Sequence, residues 1–163
     1  MLVHDSHTLK ILSHNPEQTR RIGIQLGKSL QTGDAICLQG DLGAGKTTFV
    51  QGIAQGWGSL DSVSSPTFIL VNEYHRNDES RLFHMDAYRI DSTLEAEQLD
   101  LDWMLARGAL LIEWPERMPG LIPEENLWIT LDHIAETERD LKFTAAGKRH
   151  RELIDVIHNI GGE

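Results

Sequence analysis

One cysteine is all the sequence has, so no disulfide can form within the chain. Cys37 lies in the apolar run AICLQ and reads as a core residue rather than a nucleophile. No apolar stretch approaches the roughly 20 residues of a bilayer-spanning helix. The opening MLVHDSHTLKILSH lacks the charged start, long apolar centre and small-residue cleavage site of a secretory signal, so a cytoplasmic location is expected. Basic residues are in deficit, with 15 Lys and Arg against 25 Asp and Glu and a net charge of −10. Autonomous nucleic-acid binding needs many cations to neutralise phosphates, and this chain as a whole repels a polyanion. Only a local basic patch at Lys148, Arg149 and Arg151 is left for such contact. If the chain serves an RNA pathway, another component holds most of the RNA. Repeats, low-complexity tracts and linkers are missing too.

What is present fits one globular domain spanning 1–163, with 40% hydrophobic and 25% charged residues. A strand is expected over 7–13, then a helix with Asn15 as N-cap and Pro16 at its first position. Ile22, Leu26 and Leu30 give that helix one apolar face, ending near Gly33. Ala35 to Gln39 reads as a buried strand, and Lys46 to Trp57 as a helix stopped by Gly58. Residues 67–74 and 81–85 read as strands around a polar turn, and 93–107 as a largely helical segment. Ala109 to Glu113 is another buried strand, followed by strands at 127–132 and 140–144 and a helix near 149–158. Early strands alternating with helices predict a parallel sheet, and the later strand pairs add antiparallel members. The expected architecture is α/β: a three-layer P-loop fold around a mixed, mainly parallel central sheet.

The segment Gly40-Asp41-Leu42-Gly43-Ala44-Gly45-Lys46-Thr47 matches the P-loop pattern at every fixed position. Its glycines let successive backbone N–H groups turn toward one anion without a Cβ in the way. The following helix adds its unpaired amides and the positive end of its dipole. Lys46 is expected at the β- and γ-phosphates, and the Thr47 hydroxyl on Mg²⁺. A second acidic group at the end of a buried strand normally completes such a site. Glu113, after ALLI, and Asp86, after RLFHM, are both candidates. The guanine-reading segment of GTPases (Asn or Thr, Lys, any residue, Asp) is missing, which favours ATP.

Four stretches in order, GDLGAGKTTF (40–49), SSPTF (64–68), HMDAYR (84–89) and LLIEWPER (110–117), together resemble the TsaE family of tRNA threonylcarbamoyladenosine biosynthesis ATPases. The resemblance implies an ATP-hydrolysing component that acts with the TsaB and TsaD proteins, which carry the RNA-modifying chemistry. By position it gives Lys46 and Thr47 the phosphate and magnesium roles, with Thr48 beside them. It makes Asp86 and Glu113 catalytic or magnesium-assisting acids and sets Trp114 near the nucleotide. Ser65 and Thr67 fall in a switch-like loop able to sense the γ-phosphate. Without it, Ser65-Pro66-Thr67 reads as an ordinary turn and Trp114-Pro115 as a strand end packed on the core. His84, two residues from Asp86, makes a possible metal pair but lies within a strand. Two other readings use the same loop. A small-molecule kinase has Asp86-Ala87-Tyr88-Arg89 as its acceptor segment, although no Arg-rich lid follows. A nucleotide-gated binding module would have assembly as its output.

Overall fold

Two short apolar runs fix the middle of the molecule. In the computed structural model, which describes residues 3–4, 7–41, 43–64, 71–90 and 92–161, they become β3 (Ala35–Gln39) and β6 (Gly108–Glu113). Every residue of β6 is buried, as are all but the last of β3, the pattern of strands covered on both faces. They pair in parallel, with β7 (Asn126–His133) parallel on the far side of β3 and β5 (Arg81–Asp86) parallel beyond β6. Antiparallel strands flank this parallel centre. β4 (Val71–His75) closes one edge, and β8 (Arg139–Ala146), β2 (Thr8–Ser13) and β1 (Val3–His4) extend the other. The resulting 8-stranded order is β1-β2-β8-β7-β3-β6-β5-β4.

The period of two along β3 and β6 sorts their side chains into two cores. Ile36, Leu38 and Leu111 pack with Leu26, Phe49, Ile53 and Leu153, from helices α1 (Pro16–Ser29), α2 (Lys46–Trp57) and α5 (Lys148–Gly161). Cys37, Leu110 and Ile112 pack the other way, against Ala96 and Met104 of α3 (Thr93–Glu97) and α4 (Leu101–Leu105). Helices thus cover both faces, giving the expected three layers around a mixed sheet. Burial pushes the Cys37 thiol up to about 12, an inert core group.

Several details depart from expectation. The helical segment at 93–107 breaks in two, because a second capping residue, Asp100, lies within it. Ser92 accepts from the Glu95 amide at 3.1 Å, and Asp100 accepts from the Trp103 amide at 3.0 Å. Residues 67–70 of the expected strand lie outside the described residues. The basic patch loses Arg149, which makes a bidentate pair with the buried carboxylate of Asp34 (2.9 Å for each contact) and donates to the Ser29 carbonyl. Among the described residues, no helix is long and apolar enough to cross a membrane.

Close packing of α1 on α2 orients the phosphate loop, and it depends on glycines that periodicity alone does not single out. A Cβ on Gly27 would stand 2.0 Å from the Ile53 carbonyl oxygen, and one on Gly56 2.0 Å from that of Ile24. Gly27→Ala must therefore separate the helices. Despite a propensity gain of about 1 kcal/mol, the variant is expected to lose about 1–3 kcal/mol of stability, read from urea denaturation. A gain in stability would contradict this packing.

Candidate functional site

The site lies where the three central strands β3, β5 and β6 end together. Open parallel sheets bind ligands at the carboxyl ends of their strands. After Gln39 the chain turns through the Gly-rich loop, with Gly43 and Gly45 at φ 83° and 99°, values that suit glycine. Ala44 donates to the Asp41 carbonyl at 3.0 Å, and α2 begins at Lys46. Gly45 has no side chain to cap α2, so the leading amides of the helix are left for a ligand.

Lys46 is buried, and its Nζ has no hydrogen-bond partner among the described residues. It stands 3.7 Å from the centroid of the Trp114 ring, a cation–π contact. Burial lowers its pKa, against the opposing pull of Glu113 and Asp86. Those two acids are register partners at the ends of β6 and β5. The Ala87 amide donates to the Glu113 carbonyl at 2.9 Å, and that of Trp114 to the Leu38 carbonyl at 3.2 Å, tying both acid-bearing turns together and to β3. Burial raises the Asp86 carboxyl, whose Oδ1 accepts from the Tyr88 amide at 2.9 Å. Trp114 adopts a left-handed backbone (φ 59°, ψ 47°), unusual for a bulky residue. Its ring packs on Tyr88, which in turn carries Arg117 over its face. Strain of this kind gathers at functional sites.

Gly43, Gly45, Lys46, Thr47, Thr48, Asp86, Glu113 and Trp114 line one cleft of about 380 Å³. Asp41 and Ala44 line an adjoining cleft, reached across Gly43, with Leu131, Asp132 and His133. Leu42, Ser65 and Thr67 lie outside the described residues. Thr47, Asp86 and Glu113 offer hard oxygen donors of the kind magnesium takes together with phosphate oxygens and water. An anion that meets the bare Lys46 ammonium and the free amides would satisfy every unpaired group at the helix start.

Sequence reasoning missed one contributor, Arg139, and gave another, His84, no role at the site. His84 proves to be a partner of Glu113, its Nε2 lying 2.6 Å from Oε2. Arg139, at the start of β8, reaches back to the phosphate loop, donating from Nε to the Ala44 carbonyl at 3.1 Å and from its terminal nitrogen to that of Gly43 at 3.3 Å. It also donates to the Ala135 and Glu138 carbonyls, so one guanidinium ties the β7–β8 turn to the loop. Nothing in the spacing marks this arginine, because its partners lie some 95 residues away along the chain. Arg139→Ala is expected to weaken triphosphate binding about tenfold or more, roughly 1.4 kcal/mol, by titration calorimetry. Unchanged affinity would show that the loop keeps its shape unaided.

The arrangement has counterparts. The family model described as threonylcarbamoyl adenosine biosynthesis protein TsaE matches residues 13–141. A Bacillus subtilis protein named tRNA threonylcarbamoyladenosine biosynthesis protein TsaE is 39% identical over 150 residues, covering 91% of this chain and 93% of that one. A protein of the same name from a Nostoc species is 43% identical over 139 residues, 83% of this chain and 85% of its own. The crystal structure of Bacillus subtilis YdiB superposes with a TM-score of 0.77 at 34% identity, covering 98% of this chain and 97% of that one. With the family match spanning most of its length, the chain belongs to the TsaE family.

Proposed function

We propose that this protein binds ATP with magnesium on the loop 40–47 and hydrolyses it as the nucleotide-driven component of tRNA N6-threonylcarbamoyladenosine formation in the cytoplasm. The observation that carries this reading is the buried Lys46 ammonium, which lacks a hydrogen-bond acceptor among the described residues at the start of an uncapped helix and faces two acidic strand ends. The relatives' printed names supply the pathway.

In this reading the amides from Asp41 to Thr48 cradle the phosphates and Lys46 leaves the Trp114 face to meet the β- and γ-oxygens. Thr47, with Asp86 and Glu113, holds magnesium, which when bound neutralises charge on those oxygens. Either acid can orient the attacking water. Phosphoryl transfer asks mainly for placement and charge neutralisation, which fixed backbone dipoles and one ammonium supply. Ser65 and Thr67 are assigned the sensing of the γ-phosphate. The net charge of −10 leaves tRNA to the partners, TsaB and TsaD, whose assembly with this chain completes the stabilising set. Turnover is therefore slow alone and faster in the complex.

The test mixes the purified protein with TsaB, TsaD, tRNA, ATP and an activated threonylcarbamoyl donor, and follows phosphate release and modified adenosine together. Both are expected to rise only in the full mixture. Lys46→Ala should lower turnover by about 100-fold or more. Full partner-stimulated activity in that variant would refute the site assignment, and phosphate passed to a small-molecule acceptor would mark a kinase instead.

A further inference from the structure

Glu113 does not stand alone at the end of β6. Its Oε2 lies 2.6 Å from Nε2 of His84, which comes from the middle of the adjacent strand β5 and is 2% exposed. The other ring nitrogen, Nδ1, lies 2.8 Å from the hydroxyl of Tyr74, itself buried on edge strand β4. That hydroxyl has a second acceptor in reach, the Ser64 carbonyl at 3.3 Å. Three neighbouring strands thus deliver one polar chain through an otherwise apolar layer. It starts at the Tyr74 hydroxyl, whose single hydrogen serves the nearer acceptor, and ends on a carboxylate in the cleft.

The donor inventory fixes its direction. A carboxylate only accepts, so Nε2 must carry the hydrogen shared with Glu113. In a neutral ring Nδ1 is then an acceptor, and the Tyr74 hydroxyl donates to it. With one carboxylate oxygen engaged, the rotation of Glu113, which lines the cleft, is restrained. Buried polar groups held in this way orient the residues that touch a ligand, and their loss commonly costs 10–100-fold in activity.

We infer that His84 is a positioning residue, locked by Tyr74, that sets the Glu113 carboxylate for ATP turnover. This rests on the function proposed above, so its test needs a readout that does not involve turnover. In protein labelled with ¹⁵N-histidine, the His84 ring signals, assigned by their absence from His84→Gln, are expected to show hydrogen on Nε2. A bare Nε2 would overturn the inference whether or not the protein hydrolyses ATP.

The kinetic arm separates positioning from packing. His84→Gln keeps an N–H at the Nε2 position, whereas His84→Asn reaches only the Nδ1 position, where its amide oxygen can accept from Tyr74. Asn should lower kcat about 10–100-fold with KM for ATP changed less than about threefold, Gln should rescue most of the loss, and Tyr74→Phe should cost only a few-fold. Equal losses in Gln and Asn, or no loss in either, would overturn it. Should His84→Asn fail to fold, Tyr74→Phe and the nitrogen spectrum still decide. A wild-type protein that does not turn over ATP under any condition would instead refute the proposed function and leave the spectrum to judge the hydrogen bond.

Discussion

An ammonium group buried without an acceptor is the constraint on which the rest of this structure depends. Lys46 sits at the start of α2 and its Nζ reaches no hydrogen-bond partner among the described residues. Burying a charge is costly unless it is paired. Here the cost is offset in part by the Trp114 ring below it and by the fields of Glu113 and Asp86. Neither compensates as a direct bond would. A site left in that state favours an anion brought from outside, and the uncapped helix points its free amides to the same place.

Everything around that lysine serves to hold it there. The parallel centre of the sheet ends the phosphate loop, Asp86 and Glu113 along one line, because β3, β5 and β6 run in the same direction and in register. The close α1–α2 contact sets where the loop's helix lies. Arg139 anchors the loop from the antiparallel side of the sheet, and the Tyr74–His84 pair anchors Glu113 from the other edge. The cleft is therefore braced from both flanks of the parallel core. The aromatic stack of Trp114 and Tyr88 closes it beside the lysine.

The parts of this design that are local in sequence were legible there. The loop from Gly40 to Thr47 announces itself, since its glycines, lysine and threonine act within eight residues of one another. ALLIE and AICLQ read as buried strands because both of their faces are apolar. The site acids could be named because each ends such a run. What escaped depends on contacts between distant segments. Arg139 meets residues from the other end of the fold, and His84, set aside as a metal pair with Asp86 because it lies within a strand, showed its partner only once β5 lay beside β6. The glycines at 27 and 56 matter only because two helices cross at them. The split of the 93–107 helix was a local signal left unused, for Asp100 is as good a cap as Ser92. Membership of the TsaE family supplies a pathway but not the division of labour among these side chains.

The most direct measurement is a crystal structure of the protein with magnesium and a non-hydrolysable ATP analogue. The account predicts β- and γ-phosphates against the amides that begin α2, with Lys46 Nζ withdrawn from the Trp114 face and bonded to phosphate oxygen. A nucleotide lodged elsewhere, or a lysine still resting on the indole with the triphosphate bound, would contradict it.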